Sequence, residues 1–220
     1  MIENRWNGER ISLAQDTPAG LIQCHLSRYV WAMHYCVGKT VLDVGCGTGY
    51  GTWLLGTLAE EVAGIDKSVD AIAEARRDFS GVFLNMDIES APKHQPNWCF
   101  DTIVAFEVME HLDDVDLGME AIKSLLSDSG KALISLPLHQ PSTWHKCRDY
   151  GYAEWREIVD RHFTVDTVYH QPLENERGEN VCILPAGYRV NDEFVEDWQE
   201  CRLRGEADTG LVIFVLEKRS

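Results

Sequence analysis

Three closely spaced glycines and one acid could bind a ligand through the main chain. Residues 41–49 read Val-Leu-Asp-Val-Gly-Cys-Gly-Thr-Gly, so Gly45, Gly47 and Gly49 follow Asp43 directly after an apolar segment. Glycine lets the backbone turn sharply and leaves no side chain between the main chain and a ligand. The carboxylate of Asp43 would repel a pyrophosphate and attract a cationic amino group. The spacing therefore predicts a ligand that lies against the backbone.

The same segment argues against a dinucleotide. The dinucleotide fingerprint is G-x-G-x-x-G, and its last glycine packs the following helix against the strand. Counting from Gly45, this last position is occupied by Tyr50. Since the upstream acid also opposes a pyrophosphate, we expect a different nucleotide-like ligand.

Two further acids follow later apolar segments. Asp66 stands in Val-Ala-Gly-Ile-Asp-Lys-Ser, and Asp87 stands in Asn-Met-Asp-Ile-Glu. With Asp43 they form an ordered set at the predicted carboxyl ends of adjacent strands, where open α/β sheets bind ligands. A carboxylate at such a position can accept charge-assisted hydrogen bonds from hydroxyl or amino groups.

A second group of chemically active residues comprises Glu107, Glu110 and His111. Their i, i+3, i+4 spacing would place them on one face if a helix begins here. Two carboxylates and an imidazole suit a divalent metal, and His139 or His145 could supply a fourth ligand. In the alternative interpretation, His111, with His145, is the candidate base that removes a proton from a substrate.

Apolar segments and their boundaries predict the elements that position these residues. Strands are expected near 40–44, 62–65, 82–86, 101–106 and 131–136, with helices near 51–59, 68–77 and 115–127 between them. This alternation predicts parallel strands joined by right-handed crossovers. Ser68 and Asp70 are predicted to cap the second of these helices, and Gly130 to end the third.

The flanking segments complete a predicted single domain over residues 1–220. An N-terminal helical cap is expected over 1–38, with its helix over 20–37. The fifth strand is followed by a predicted helix near 152–160, a β-rich run over 163–169, an excursion over 171–209 with a short helix near 192–202, and a last strand over 211–216.

Charge and composition narrow the function classes. The 220 residues include 20 basic and 36 acidic side chains, and the formal net charge of −16 disfavours nucleic acid as a substrate. The seven cysteines include no C-x-x-C pair, which favours reduced thiols over a disulfide framework. No apolar stretch is long enough to span a membrane, and the first residues lack the apolar core of a signal peptide, so we expect a cytoplasmic protein. The oligomeric state is left open.

The glycine segment with its acid resembles motif I of the class I S-adenosylmethionine-dependent methyltransferases. Residues 100–112, Phe-Asp-Thr-Ile-Val-Ala-Phe-Glu-Val-Met-Glu-His-Leu, are similar to motif IV of the same family. The resemblance implies an α/β fold with a Rossmann-like seven-stranded sheet, helices on both faces and an antiparallel last strand.

The resemblance also implies how S-adenosylmethionine would be bound. Asp43 would hold the ammonium group, Asp66 the ribose hydroxyls and Asp87 the adenine amino group, with Ile88 against the adenine ring. Phe106 and Glu107 would lie beside the methionine moiety and the transferred methyl. The complete predicted cofactor set is Asp43, Gly45, Cys46, Gly47, Thr48, Gly49, Asp66, Lys67, Asp87, Ile88 and Phe106.

The acceptor is less sharply indicated. Arg28-Tyr29-Val-Trp-Ala32, and the loop and helix over 144–158, resemble a branch that often methylates sugars, nucleotide-sugars or other small metabolites. We therefore expect methyl transfer to an oxygen or nitrogen of a small molecule, with His111, His145 and Glu107 as catalytic candidates. Because the Glu-x-x-Glu-His pattern resembles the ubiquinone-pathway and small-RNA methyltransferases, metal-assisted O-methylation of a catechol-like or RNA ribose acceptor is one alternative. A non-catalytic S-adenosylmethionine-binding protein is the other.

Overall fold

A seven-stranded mixed sheet forms the centre of the molecule. The computed structural model describes residues 19–139, 148–171 and 210–219. The strands are Thr40–Val44 (β1), Glu61–Asp66 (β2), Val82–Asn85 (β3), Phe100–Phe106 (β4), Leu126–Leu138 (β5), Phe163–Gln171 (β6) and Gly210–Lys218 (β7), and their order across the sheet is β3-β2-β1-β4-β5-β7-β6. Strands β1 to β5 run parallel, whereas β7 is antiparallel to both β5 and β6. The predicted fold class and the antiparallel last strand are confirmed.

Helices cover both faces of the sheet. They are Ala19–Ala32 (α1), Tyr50–Leu55 (α2), Val69–Asp78 (α3), Ala91–His94 (α4), Val115–Leu125 (α5) and Tyr152–His162 (α6), with 3₁₀ turns at Met33–Tyr35, Ile88–Ser90 and Met109–His111. Strand side chains alternate between faces. In β4, Ile103 and Ala105 join the core under α5 and α6, whereas Val104 and Phe106 join the core under α1 and α2. Each central strand thus contributes to two apolar layers.

Several helix ends differ from the predictions. Helix α1 ends at Ala32 rather than near 37, and the chain continues as the 3₁₀ turn Met33–Tyr35. The first predicted crossover helix ends at Leu55 rather than near 59, because the chain turns at Gly56, which packs against Val62, and then enters β2. Helix α5 ends at Leu125, and Gly130 lies inside β5 rather than terminating the helix. The physical reason is that Leu126 is buried and already pairs with Phe100 of β4, so the chain must be extended there.

The order of the strands determines where a ligand can bind at the edge of the sheet. The crossovers from β1 lead outward to β2 and β3, whereas β4 lies on the other side of β1 and leads to β5. Ligands of open α/β sheets bind outside the carboxyl ends of strands where the order reverses in this way. Two of the helix starts at this edge have side-chain caps: Ser68 accepts from the Ala71 amide at α3, as predicted, and Asp114 accepts from the Leu117 amide at α5.

The described residues bear on two predictions from composition, the state of the cysteines and the presence of a membrane-spanning segment. Cys24, Cys36, Cys46 and Cys99 have free thiols; the other three cysteines lie outside the described residues, as does the short helix predicted near 192–202. No helix in the described ranges is long and apolar enough to cross a bilayer.

Candidate active site

A cleft of about 460 Å³ opens at the carboxyl ends of the first four strands. This volume lies within the range of small-molecule sites, which is roughly 300 to 1,000 Å³. Four loops line it: Val44, Gly45 and Gly47 after β1; Ile65, Asp66, Lys67 and Ser68 at β2; Met86, Asp87 and Ile88 after β3; and Glu107, Val108, His111 and Leu112 after β4.

The three glycines of the turn are required for different reasons. All have positive φ angles, 68° at Gly45, 53° at Gly47 and 88° at Gly49, which side chains disfavour. A Cβ atom at Gly45 would lie 2.4 Å from Cγ2 of Val108, and one at Gly49 would lie 2.7 Å from Cβ of Ala75. A Cβ atom at Gly47 would meet nothing within 4 Å. Gly47 is therefore the position at which bare backbone faces open space.

Asp66 joins the glycine turn to the end of β2. Its Oδ2 accepts a hydrogen bond from the amide of Gly47 at 2.9 Å, and its Oδ1 accepts from the amide of Ser68 at 2.7 Å. A carboxylate has about four acceptor sites, so each oxygen keeps one for a ligand. Asp66 can thus orient the turn and bind hydroxyl groups at the same time.

Asp87 and Ile88 supply a polar and an apolar surface at the far end of the cleft. Oδ1 of Asp87 accepts from the amide of Glu89 at 3.1 Å and caps the 3₁₀ turn Ile88–Ser90. No hydrogen bond to Oδ2 is formed within the described ranges. Ile88 is buried with its side chain in the larger apolar core. A flat ring with an exocyclic amino group suits this combination of one free acceptor and one apolar side chain.

Asp43 does not face the cleft, although it was predicted to hold a ligand's ammonium group. Its carboxylate is completely buried beneath the turn, where it accepts from Thr52 Oγ1 at 2.6 Å and from the hydroxyl of Tyr29 at 3.2 Å. Burial raises the pKa of this carboxyl to about 7, against the opposing effect of these two hydrogen bonds. A direct contact with an ammonium group would require the turn to move, because Asp43 points toward α1 and α2.

Four other predicted cofactor residues also lie away from the cleft. Cys46 and Thr48 are buried, Gly49 packs against Ala75 and Phe83, and the ring of Phe106 lies edge-on to Tyr29 with centroids 5.3 Å apart. The motif locates the segment in the sequence. Successive side chains of a strand point to opposite faces of the sheet, so only some residues of such a segment can face the cleft. The predicted residues that do line the cleft are Gly45, Gly47, Asp66, Lys67, Asp87 and Ile88, together with Glu107 and His111.

Residues 107–113 form one side of the cleft and are called the wall segment below. Glu107 begins it with a φ of 57°, an uncommon value for a residue with a side chain. Its amide donates to Ser135 Oγ at 3.0 Å, and Ser135 Oγ donates to Glu107 Oε1 at 3.1 Å. His111 lies in the wall with about a third of its side chain exposed, which leaves the imidazole accessible from the cleft.

Arg28 is a buried cation that the motifs did not single out as a site residue. Only 1% of its surface is exposed; Nη1 donates to Oε1 of Gln171 at 2.8 Å, and Nη2 lies 4.0 Å from Oε1 of Glu107. Within the described ranges, its Nε and Nη2 have no hydrogen-bond partner. A buried guanidinium that keeps donor atoms for a further partner can bind an anionic group. The sequence signal was a charge inside an otherwise apolar helical pattern.

The predicted metal set is not assembled. Met109–His111 is a single 3₁₀ turn preceded by the left-handed Glu107, so the three side chains do not share an α-helical face. Glu110 is 2% exposed, and burial beside Glu107 raises its pKa well above the ordinary range, which favours the neutral form over a metal ligand. Over 19–139, 148–171 and 210–219, no group of three His, Cys, Asp or Glu residues could hold an ion. His145 lies outside the described residues, and Nδ1 of His139 lies 3.4 Å from Oδ1 of Asp149.

The sequence matches a known family of enzymes over most of its length. A family described as "Methyltransferase domain" matches residues 22–172, which include all four strands that bear the cleft. The chain belongs to this methyltransferase family. Its first five strands, its switch point and its glycine turn are all within the matched range.

Individual relatives of this methyltransferase domain agree with that assignment. The chain is 32% identical over 102 residues to a Mycobacterium tuberculosis protein named "Probable S-adenosylmethionine-dependent methyltransferase", covering 46% of this chain and 37% of that protein. It is 31% identical over 110 residues to a ubiquinone biosynthesis O-methyltransferase of Bradyrhizobium diazoefficiens, covering 49% and 44%. The chain thus spans less than half the length of these two relatives.

Solved structures show the same fold for the methyltransferase domain. The crystal structure of a TehB-like SAM-dependent methyltransferase from Corynebacterium glutamicum superposes with a TM-score of 0.60 over 88% of this chain and 86% of that chain. Sequence identity in this comparison is 19%, so the likeness concerns the fold.

Proposed function

We propose that this methyltransferase domain transfers the methyl group of S-adenosylmethionine to an oxygen or nitrogen of a small molecule. The observation that carries the proposal is the cleft itself, which brings the bare backbone at Gly47 together with Asp66 and Asp87. The backbone at Gly47 suits the methionine part of the cofactor, Asp66 suits the ribose, and Asp87 suits the adenine. The names of the two curated relatives support the same cofactor and group transfer.

The cofactor is assigned an orientation across the four strand ends. Adenine lies at Asp87 and Ile88, where the unfilled Oδ2 accepts from the amino group. The ribose hydroxyls bind Asp66, and the methionine moiety runs along Gly45 and Gly47 toward the wall segment. Asp43 supports the turn from below in this assignment, because its oxygens bind Thr52 and Tyr29.

Arg28 is not among the residues that line the cleft, but it lies next to Glu107, which is, and it is assigned to the methionine carboxylate on that ground. This group would reach the end of β4, where Arg28 lies 4.0 Å from Glu107 with two donor atoms unfilled. A guanidinium presents a planar pair of donors that matches a carboxylate. Cofactor binding would therefore satisfy a buried cation, and Glu107 would remain beside the ammonium group.

The chemical step needs alignment and removal of one proton. The acceptor oxygen or nitrogen attacks the methyl carbon in line with the sulfonium bond, the C–S electron pair returns to sulfur, and S-adenosylhomocysteine leaves. A hydroxyl acceptor must also lose its proton, and His111 in the wall is the assigned base. His145 stays a candidate base from the sequence.

A small-molecule acceptor is favoured over a nucleic acid. The net charge of −16 opposes a polyanion over most of the surface. The wall adds acidic groups at Glu107 and Asp113 rather than a basic groove. An acceptor without phosphate charge, such as an alcohol, phenol, sugar or amine, fits this side of the cleft best.

Calorimetric titration with S-adenosylmethionine and S-adenosylhomocysteine tests the cofactor assignment. Asp66→Ala is expected to weaken both by about 1 to 3 kcal/mol, because the ribose hydroxyls lose a charged acceptor. Asp70→Ala is the matched control, since Asp70 is an exposed acid four residues away in α3. Absence of binding by the unmodified protein at millimolar ligand would reject the proposed function. Equal affinities of Asp66→Ala and Asp70→Ala would reject the ribose assignment alone.

A further inference from the structure

The wall segment 107–113 is anchored at both of its ends. At the start, the amide of Glu107 donates to Ser135 of the neighbouring strand β5. At the end, Oδ1 of Asp114 accepts from the amide of Leu117 at 3.1 Å and begins α5. Between these points the chain makes only one 3₁₀ turn, so its position depends on side-chain contacts.

Arg148 binds the C-terminal half of the wall from outside. Its Nη1 donates to the carbonyl of Leu112, and its Nη2 donates to the carbonyl of Asp113 at 2.7 Å. The amide of Arg148 also points to the carbonyl of Glu110, at 3.4 Å. Two successive carbonyls after a 3₁₀ turn carry partial negative charge, and the planar fork of a guanidinium can bind both at once.

The residues that carry Arg148 are themselves fixed to β5 and α6. The amide of His139 donates to the carbonyl of Tyr150 at 3.1 Å, and the ring of Tyr150 packs against Trp155 with centroids 4.9 Å apart. Nε1 of Trp155 donates to the carbonyl of Pro137 at 2.9 Å. Arg148 therefore lies two residues before Tyr150, which contacts both the end of β5 and α6.

On its opposite side the wall presses against the glycine turn. Cγ2 of Val108 lies so close to Gly45 that a Cβ atom there would be only 2.4 Å away. Val108, His111 and Leu112 all line the cleft. The wall thus contacts the glycine turn through Val108 near its start and Arg148 through Leu112 and Asp113 at its end.

We propose that Arg148 is a positioning residue that holds the wall segment against the cleft and so places His111 opposite the transferred methyl. The proposal rests on the proposed function for its ligand, but the contact itself does not. Arg148 is not among the residues that line the cleft, and it acts through the backbone of residues 110–113. Lysine can replace its charge but not its paired donors.

Hydrogen–deuterium exchange and calorimetry together test the role. Exchange is followed by mass spectrometry in the ligand-free protein for Arg148→Gln, Arg148→Lys and the control Arg156→Gln, whose arginine forms an exposed ion pair with Asp160 on α6. Arg148→Gln is expected to exchange about tenfold faster over 107–113 with the sheet unchanged, and Arg148→Lys to be intermediate. The affinity of Arg148→Gln for S-adenosylhomocysteine is expected to fall about threefold to tenfold. Arg156→Gln should leave both quantities unchanged.

The outcomes separate this proposal from the proposed function. Unchanged exchange over 107–113 in Arg148→Gln would overturn the positioning role, as would faster exchange spread evenly over the whole sheet. Unchanged affinity in a variant with a loosened wall would also overturn it, provided that the unmodified protein binds the cofactor product. If the unmodified protein binds neither cofactor form, the proposed function fails, and the exchange of residues 107–113 still decides whether Arg148 positions the wall.

Discussion

The floor of the cleft, which the loops after β1, β2 and β3 form, and the wall segment 107–113 are built in different ways. In the floor, Asp66 binds the amide of Ser68 and Asp87 binds the amide of Glu89, two residues away in each case. In the wall, Glu107 binds Ser135 and Arg148 binds Leu112, at separations of 28 and 36 residues. The floor contacts are mostly short-range, apart from the bond between Asp66 and the amide of Gly47, whereas the wall contacts join residues that are distant in sequence. Substitutions in the two regions should therefore have different signatures.

The largest effect is expected at Gly49, where the floor meets the core. Gly49→Ala places a Cβ atom 2.7 Å from Cβ of Ala75 at a φ of 88°. The left-handed backbone and the overpacking together should reduce the free energy of unfolding by about 3 kcal/mol. Urea denaturation measures this loss.

Gly47→Ala is the matched control for that substitution. Its φ is also positive, but a Cβ atom would meet nothing within 4 Å. We expect a stability loss of only about 1 kcal/mol from the backbone, with most of the damage appearing in cofactor affinity. If both variants lost the same stability, close packing would not distinguish these glycines.

The next largest effect concerns His111 in the wall. His111→Gln is expected to slow methyl transfer to a hydroxyl acceptor by about a hundredfold, because the proton acceptor is lost. Cofactor affinity should stay within about twofold, since His111 is assigned to the acceptor side of the cleft. Release of S-adenosylhomocysteine with an acceptor found by screening measures the rate. A fall in cofactor affinity with an unchanged rate would place His111 among the cofactor ligands instead.

The metal alternative is tested with the same assay. Since Glu107, Glu110 and His111 do not form a metal set in the described residues, dialysis against a chelator should leave the rate unchanged. Elemental analysis of the dialysed protein should find no stoichiometric metal. Loss of activity that returns with a divalent ion would contradict this expectation.

The difference between floor and wall explains which features could be predicted from the sequence. Strand positions and the sheet class follow from apolar segments and their spacing, and the placement of Asp66 and Asp87 follows from strand ends. The roles of Arg28 and Arg148 could not be predicted, because each depends on partners distant in sequence, Gln171 and Leu112. Glu110 looked like a ligand in the sequence because spacing alone does not reveal burial.

Asp43 was predicted as a ligand contact because the motif fixes its position in the chain but not its side-chain direction. The carboxylate is buried and has no ion-pair partner among the residues that the structure describes, and burial raises its pKa to about 7. The unfolded carboxyl ionises near its ordinary value of 3.8, so between these two values only the unfolded state loses its proton. The contribution of Asp43 to stability is therefore greatest below the lower value and falls as pH rises toward 7, above which the loss is constant.

Asp43→Asn tests whether ionisation of the buried Asp43 carboxyl lowers stability at high pH. At pH 8 the variant should be more stable than the unmodified protein by about 2 kcal/mol, because the buried charge is removed while one oxygen still accepts. The advantage should shrink as pH falls from 7 toward 4, which urea denaturation at several pH values would show. Asp101→Asn should show a pH dependence of the opposite sign, since hydrogen bonds from the backbone and side chain of Thr40 lower the pKa of Asp101. A difference independent of pH would mean that Asp43 ionises normally.

A smaller effect than that of Asp43→Asn is expected from a substitution that tests the floor without disturbing its backbone. Asp87→Asn retains one oxygen for the amide of Glu89 and replaces the free oxygen with an amide nitrogen, a donor that would face the adenine amino group. We expect cofactor affinity to fall by about 1 kcal/mol with stability unchanged. Glu89→Gln, on the same 3₁₀ turn, is the matched control and should bind normally. Since the floor contacts are local, the loss should be the same in an Arg148→Gln background; a loss that depends on Arg148 would show that floor and wall are coupled.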